Sequence, residues 1–387
     1  MKVGFTRQLQ KSDTYRQLQD IKIKCCKYSF NREQSHTNYA KHCKDTKKPI
    51  IASYNSSRFS ASQANLQKSS CITDIAIENG LVPLSMTLTL IKEYHYLKGI
   101  FNKKNKSYLF YGENDKFEFD SIDDAIQSGY KLLNKFYREF YQEVKKLNKN
   151  MHYIACFEPH KSLIPHLHML YFVEPHLVDR VKKIFNKKIS NNNLGRSQFI
   201  VLDAKKDGNS AKLAASYIHK YMFKNLSNRN DESYSRMLDG YYKKYNMRAF
   251  RMSNLPMSLN IYKKIYHNLD REYKNTLIKK LNGSKSLFRY IQDNISIDKT
   301  YLDKNLELLN INKSHKLSNL INKEFQIDIH IKKYRCFIDK TIKYKIIHFR
   351  VVHIINNEPT IIYDKDTYKP INNIALEDIF DIDLLAS

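Results

Sequence analysis

The sequence predicts an α+β protein in which a mostly antiparallel sheet carries helices on one face. Three kinds of pattern support this fold class: short β-type runs, one pair of adjoining strands, and long stretches with helical periodicity. Along the chain these patterns come in the order strand, helix, strand, strand, helix, strand, helix. Because each element has one apolar side to bury, this order favours a sandwich of one sheet and one helical layer.

The first strand is predicted at Met86-Thr-Leu-Thr-Leu90, and the long helix that follows begins at Ser121. Ser121-Ile-Asp-Asp124 resembles a capping box, in which the serine side chain bonds a backbone N–H of the first turn. Apolar residues then recur at three- and four-residue spacing at Ile122, Ile126, Leu133, Phe136, Phe140, Val144 and Leu147. This spacing predicts an amphipathic helix with one side packed on the sheet.

An antiparallel hairpin is predicted after this helix, with strands at residues 151–158 and 166–173 and a turn marked by Pro159 and Pro165. Residues 178–189 have a helical pattern, and residues 198–203 a β-type pattern. Asp207-Gly-Asn-Ser210 is a suitable cap for one more helix, which would carry Tyr217 and Tyr221.

Composition divides the chain into three predicted regions. Residues 1–80 are basic and have little periodicity, which predicts a loosely ordered arm with at most one helix. Residues 81–272 hold the α+β domain. Residues 273–387 are expected to form a helical and then β-rich C-terminal module that ends in an acidic tail.

The chain has 66 Lys and Arg against 39 Asp and Glu, a net charge of +27 spread along most of its length. A polyanionic partner explains such an excess, although an AT-rich genome would also enrich lysine. The six cysteines show no C-x-x-C spacing, and no uninterrupted apolar stretch is long enough to cross a membrane. These features favour a protein with free thiols in a reducing cytoplasm, and no membrane partner.

A metal site is predicted at Glu158, His166 and His168. The two histidines flank Leu167 on one strand, so both imidazoles point to the same face of the sheet. A histidine pair alone more often has a structural role, but Glu158 closes the preceding strand, and the turn would bring its carboxylate to the histidines. Two imidazoles and one carboxylate leave positions open for phosphate oxygens and water, which suits Mg²⁺ or Mn²⁺ acting on a phosphodiester.

Tyr217 and Tyr221 lie four residues apart, and each is followed three residues later by a lysine, Lys220 and Lys224. At this spacing the tyrosines share one side of a helix. A tyrosine can attack phosphorus if nearby cations stabilise its phenolate and the charge that develops on the phosphate. A pair of core tyrosines would show the same spacing, so this motif gains weight only beside the metal motif.

Together, these motifs resemble the HUH nucleases, and in particular the phage gene A type replication initiators. The run from Met86 to Leu90 resembles the family's first motif, residues 158–168 its metal motif, and residues 217–224 its two-tyrosine motif. Residues 246–264 are a weaker match. The turn Lys161-Ser-Leu-Ile164 departs from the tight turn that is frequent in the family. The resemblance implies a ferredoxin-like or RRM-like sheet as the nuclease palm.

The resemblance also implies an activity. Glu158, His166 and His168 would hold the ion, one tyrosine would nick single-stranded DNA at a replication origin, and the products would be a 5′-phosphotyrosine and a free 3′-hydroxyl. The same chemistry run backwards would rejoin strands. Arg248 and Arg251 are candidate DNA contacts by position. Since the sequence has no complete P-loop, a helicase and a DNA polymerase of a bacterial host cell are the expected partners.

Two alternatives remain open at this point. An HUH transposase or mobilisation relaxase would use the same chemistry, although in many relaxases the tyrosine precedes the histidine pair, whereas here it follows. The other alternative is a sequence-specific DNA-binding protein without catalysis, in which the histidines and tyrosines are structural.

Overall fold

The computed structural model describes residues 2–45, 54–102, 107–195, 197–202, 232–282, 286–302, 308–309, 323–335, 342–355, 358–366 and 370–371. The chain forms two compact units, Met1–Ser253 and Asn254–Ser387. The predicted tyrosine helix and the acidic tail lie outside the described residues. Among the residues that are described, no helix is both long enough and apolar enough to cross a membrane.

The first unit combines helices with two sheets. Its strands are β1 (Lys2–Phe5), β2 (Val82–Leu88), β3 (Leu97–Asn102), β4 (Ser107–Glu113), β5 (His152–Pro159), β6 (Pro165–Val173), β7 (Gln198–Val201) and β8 (Phe250–Met252). Its helices are α1 (Asp13–Asp45), α2 (Tyr54–Glu78), α3 (Ile122–Leu147), α4 (Val178–Asn191) and α5 (Glu232–Lys244). The predicted α+β class is confirmed.

The main sheet of this unit is antiparallel, with the described strands in the order β7-β2-β6-β5-β8. The predicted hairpin is confirmed, because β5 and β6 pair from His152 with Phe172 to Pro159 with Pro165. In this register Phe157 and Leu167 share one face of the sheet, and Glu158 and His166 share the other.

Helices α3 and α4 cover the face of the sheet that carries Phe157 and Leu167. Ser121 caps α3, since its Oγ accepts a hydrogen bond from the backbone N–H of Asp124 at 3.1 Å. The buried side of α3 packs its aromatic rings against the sheet, with Phe140 and Tyr171 at a centroid distance of 5.2 Å. Phe185 of α4 contacts Phe140 at 5.8 Å. Both helices were predicted from their periodicity, and both are confirmed.

The opposite face of the sheet is also buried away from its functional end. Ile154, Cys156 and Leu170 lie on this face and are fully buried. Helix α2 contacts β5 and buries Cys71 and Ile72. Since α3 and α4 occupy the first face, we infer that α2 covers this second face.

The N-terminal 80 residues differ from the loosely ordered arm expected from their composition, because α1 and α2 lie within them. Helix α1 packs along α5 through a narrow stripe that includes Leu18, Ile21 and Cys25. A stripe this narrow in a polar helix gives little periodic signal. The contact is close: a Cβ added at Gly240 of α5 would lie 1.7 Å from the carbonyl oxygen of Cys25.

A smaller sheet in the same unit has the order β1-β4-β3. Strands β3 and β4 form a hairpin, and β1 pairs in parallel with β4, so that Phe5 lies opposite Phe110. The two rings stack at a centroid distance of 5.3 Å. The N-terminus of the described chain is therefore joined to a strand about one hundred residues further along the sequence.

The second unit begins with helices and continues as a sheet. Its helices are α6 (Leu259–Asn268), α7 (Arg271–Leu281) and α8 (Leu287–Asp293). Its strands are β9 (Ile295–Leu302), β10 (Leu308–Leu309), β11 (Phe325–Arg335), β12 (Ile342–Ile355), β13 (Glu358–Asp366) and β14 (Pro370–Ile371). The predicted helical and β-rich module is present, and it begins before the expected boundary at residue 273. The reason is that α6 packs on this sheet, with Lys264 Nζ 3.9 Å from the ring centre of Phe349.

Candidate metal centre on the β5–β6 hairpin

The hairpin brings together the three residues predicted to bind metal. Glu158 is the direct partner of His166 across the hairpin, and His168 follows on the same face of β6. Glu158 Oε2 lies 3.4 Å from Nε2 of His168, and both side chains are largely buried. A carboxylate and two imidazoles therefore share one end of one face of the sheet.

Thr87 on β2 fixes the ring of His168 from the other side. Thr87 and His168 are register partners, and Thr87 Oγ1 lies 3.2 Å from His168 Nδ1. If the hydroxyl accepts from Nδ1–H, Nε2 presents its lone pair to the carboxylate of Glu158. Two electron-rich atoms at this distance need a proton or a cation between them. The hydroxyl thus has the role of an outer partner that orients a metal-binding histidine.

His166 is enclosed by two further histidines. Its ring stacks on His160 at a centroid distance of 5.2 Å and meets the edge of His95 at 6.4 Å. Burial lowers the pKa of His166 well below its usual value, and the nearby histidines lower it further. Its Nε2 is buried and has no hydrogen-bond partner among the described residues. A neutral imidazole with an unused nitrogen lone pair is suited to hold a cation.

Three tyrosines hold the loop between β5 and β6 by donating hydrogen bonds to backbone carbonyl oxygens. Tyr241 and Tyr242 of α5 donate to Leu163 and Phe157, each at 2.7 Å, and Tyr96 donates to Ser162 at 2.6 Å. Leu163 has a φ of 65°, in the left-handed region that branched and bulky residues avoid. The buried Leu163 side chain and these hydrogen bonds keep the loop in one conformation.

The donor set fits a divalent ion. The unused Nε2 of His166, the oriented imidazole of His168 and the carboxylate of Glu158 are ligand types that Mn²⁺ accepts, and Mg²⁺ uses the carboxylate best. Within the described part of the chain, no three His, Cys, Asp or Glu side chains already surround one point as ligands do. Binding of an ion would therefore require rotamer changes in these side chains.

The comparison with protein families concerns this same part of the chain. Residues 109–226 match the family model of replication-associated protein ORF2. The match covers less than a third of the chain, and it contains Glu158, His166 and His168. It connects this part of the chain with DNA replication. No curated protein and no solved structure matches the chain.

The match to the replication-associated family also includes the tyrosine motif. Tyr217, Lys220, Tyr221 and Lys224 lie within residues 109–226, near the C-terminal end of the match. They lie outside the described residues, so their role stays a prediction. The described chain resumes with α5, whose Tyr241 and Tyr242 bond to the hairpin that carries the candidate ligands.

The two predicted DNA contacts, Arg248 and Arg251, occupy different positions. Arg248 is exposed, and its Nε donates to the carbonyl oxygen of Phe250 at 3.2 Å. Arg251 pairs with Ala155 on the α3 side of the sheet, where its guanidinium donates to Asn134 at 2.7 Å. The structure therefore places Arg251 on the face opposite Glu158.

Sequence reasoning missed Thr87, His95 and His160, each of which surrounds the histidine pair. Thr87 belongs to the run 86–90 and could have been found by pairing that strand with β6. His160 is two residues from Glu158, and its contact with His166 follows from a short hairpin. His95 lies in the connection between β2 and β3, where sequence pattern gives no position.

Proposed function

We propose that this chain is a rolling-circle DNA replication initiator that nicks single-stranded DNA at a specific site by tyrosine attack. The observation that carries the proposal is the meeting of Glu158, His166 and His168 on one end of the sheet, with a buried imidazole nitrogen unused. The match to the replication-associated family supports it, because the match spans both this site and the tyrosine motif. The net charge of +27 supports a polyanionic substrate.

The proposed reaction is a transesterification in which the total number of phosphodiester bonds is unchanged. The phenol of Tyr217 or Tyr221 loses its proton, and its oxygen attacks phosphorus. The bond from phosphorus to the 3′ oxygen breaks, that oxygen takes up a proton, and a 5′-phosphotyrosine remains. Lys220 and Lys224 would stabilise the phenolate and the charge on the phosphate.

Glu158, His166 and His168 would hold Mg²⁺ or Mn²⁺, which polarises and orients the scissile phosphate when it is bound. Thr87 keeps the ring of His168 in place, and the loop at Leu163 keeps Glu158 opposite His166. These contacts belong to the protein alone, so the ligand residues are positioned before any substrate arrives.

The free 3′-hydroxyl would prime synthesis, and the phosphotyrosine would keep the bond energy needed to rejoin the strand. After one round of synthesis the second tyrosine could attack again and release a circle. Strand separation and synthesis would come from a helicase and a DNA polymerase of a bacterial host, in whose cytoplasm the protein would act.

The deciding experiment looks for a covalent adduct. The full chain would be incubated with Mn²⁺ and with end-labelled single strands that tile the replicon encoding it, and then resolved on a denaturing gel. We expect an adduct that EDTA abolishes, that each of Glu158→Gln and His166→Ala strongly reduces, and that the double variant Tyr217→Phe with Tyr221→Phe lacks. Tyr111→Phe is a matched control, since it removes an exposed phenol elsewhere in the same unit.

An adduct that persists in the double tyrosine variant would refute the assigned nucleophiles. Specific binding of one strand with no adduct on any strand would refute nicking and favour the DNA-binding alternative. Each single tyrosine variant would also show which tyrosine attacks first, because only the first nick is needed for an adduct on a linear strand.

A further inference from the structure

The outer side of α3 carries a row of positive charge, which we call the basic stripe. Exposed residues recur there at three- and four-residue spacing: Gln127, Lys131, Lys135, Arg138, Gln142, Lys145 and, just after the helix, Lys149. This spacing places them along one side of the helix. The row has five cations and no carboxylate, and from residue 131 to residue 145 it extends about 21 Å.

Such a row is unfavourable for an isolated protein. Like charges four residues apart on a helix, as at Lys131 and Lys135, destabilise it by roughly 0.2–0.5 kcal/mol per pair. A helix that is merely solvated usually alternates Glu with Lys on its exposed side. The uninterrupted row therefore points to a polyanion that neutralises it.

Helix α4 extends the same positive surface. Its exposed side carries Arg180, Lys183 and Lys187 at three- and four-residue spacing. The carboxylate between the two helices, Glu139, is already shared: Lys188 lies 3.4 Å from it and Lys135 lies 3.9 Å from it. The seam between α3 and α4 thus adds little negative charge.

The chemistry of this surface fits double-stranded better than single-stranded DNA. Proteins that hold single strands stack the bases on exposed aromatic rings. The exposed positions of the basic stripe are lysine, arginine and glutamine, which donate hydrogen bonds to phosphate oxygens but offer no stacking surface. A straight row of about 21 Å matches about six base pairs of a rigid duplex backbone.

The surface also lies on the far side of the sheet from the candidate metal centre. Helix α3 covers the face that carries Phe157 and Leu167, whereas Glu158, His166 and His168 are on the other face. We propose that α3 and α4 bind the sugar-phosphate backbone of duplex DNA. The proposal rests on the proposed function, in that this duplex would flank the single strand that is nicked.

The test compares two charge-matched triple variants of the full chain by fluorescence anisotropy. The stripe variant is Lys131→Gln, Lys135→Gln and Arg138→Gln. The control is Arg271→Gln, Lys279→Gln and Lys280→Gln, which removes the same residue types from exposed positions on α7. The probes are a labelled duplex of about 20 base pairs and one of its strands, at about 50 to 200 mM KCl.

We expect the stripe variant to bind the duplex at least about tenfold more weakly, and the slope of log affinity against log salt to fall by about 2.7, or 0.9 per lost phosphate contact. The control should keep the slope of the native chain. The triple variant Arg180→Gln, Lys183→Gln and Lys187→Gln on α4 should also weaken duplex binding. Equal losses in the stripe variant and the control, or a loss confined to the single strand, would overturn the proposal.

Adduct formation on single-stranded DNA separates this inference from the proposed function. We expect the stripe variant to form the adduct as the native chain does, because its substitutions are on the far face. Duplex binding that depends on the stripe in a chain that never forms an adduct would support the surface and refute the nuclease.

Discussion

Replacing Gly240 with alanine is expected to push α5 away from α1 and to disturb the loop that joins Glu158 to His166. An added Cβ would lie 1.7 Å from the carbonyl oxygen of Cys25 and 2.5 Å from its carbonyl carbon. Both are backbone atoms, so no side-chain rotation can relieve the overlap. Tyr241 and Tyr242, the next residues along α5, hold the loop through their hydroxyl groups, and any shift of α5 is passed to it.

The magnitude follows from the distances. Cβ atoms keep at least about 3.0 Å from such neighbours, so the helices must separate by about 1.3 Å. Overpacking of this kind destabilises a protein by about 1–3 kcal/mol. Alanine also gains about 1 kcal/mol over glycine in helix propensity. The expected net loss is about 1–2 kcal/mol in the free energy of unfolding.

Urea unfolding followed by far-ultraviolet circular dichroism measures this loss, and Gly129→Ala is the matched control. Gly129 is also buried within a helix, but its added Cβ would meet Cδ1 of Leu90 at 2.5 Å, the far end of a flexible side chain. We expect the control to be about as stable as the native chain. If Gly240→Ala is equally stable, the close approach of α1 and α5 is not a real constraint.

Three further predictions concern the site and its surroundings. Thr87→Val should raise the Mn²⁺ concentration for half-maximal adduct formation by about 10–100-fold, because His168 loses its orienting partner, while Ser85→Ala on the same face should leave it unchanged; an unaltered Mn²⁺ requirement in Thr87→Val would contradict this. Tyr242→Phe should lower the free energy of unfolding by about 1–2 kcal/mol, since the carbonyl oxygen of Phe157 loses a buried donor, and a urea denaturation curve that does not move would refute it. Cys25 should resist iodoacetamide at pH about 8 in the native chain and react after denaturation, because burial raises its pKa to about 12; peptide mass spectrometry reads the labelling, and rapid native labelling would disprove the assignment.

The parts of the fold that sequence predicted are those encoded locally. Helix α3 announces its start with a capping serine and its buried side with apolar residues at regular spacing, and the structure has both. The hairpin of β5 and β6 is bounded by two prolines and needs only a short turn. The positions of Glu158, His166 and His168 follow from that hairpin, so the candidate ligand set could be predicted from the chain alone.

Contacts between distant segments could not be predicted in this way. Strand β1 pairs with β4 about one hundred residues later, and α1 packs on α5 through a stripe whose shape depends on a glycine in the partner helix. Thr87 becomes a neighbour of His168 only through the pairing of β2 with β6. The boundary between units was expected at residue 272, near the end of the family-like sequence, whereas α6 packs with the later strands.

The short distance along the chain between the candidate ligands has a thermodynamic consequence. Glu158 and His168 are joined by one tight hairpin, so little loop-closure entropy separates them. Strand pairing removes their configurational freedom as the sheet forms, before a cation is bound. Folding and ion uptake are then separate equilibria, unlike those of a zinc finger, which is unfolded without its metal. A divalent ion should raise the melting temperature only by mass action, gradually with its concentration and without changing the cooperativity of unfolding.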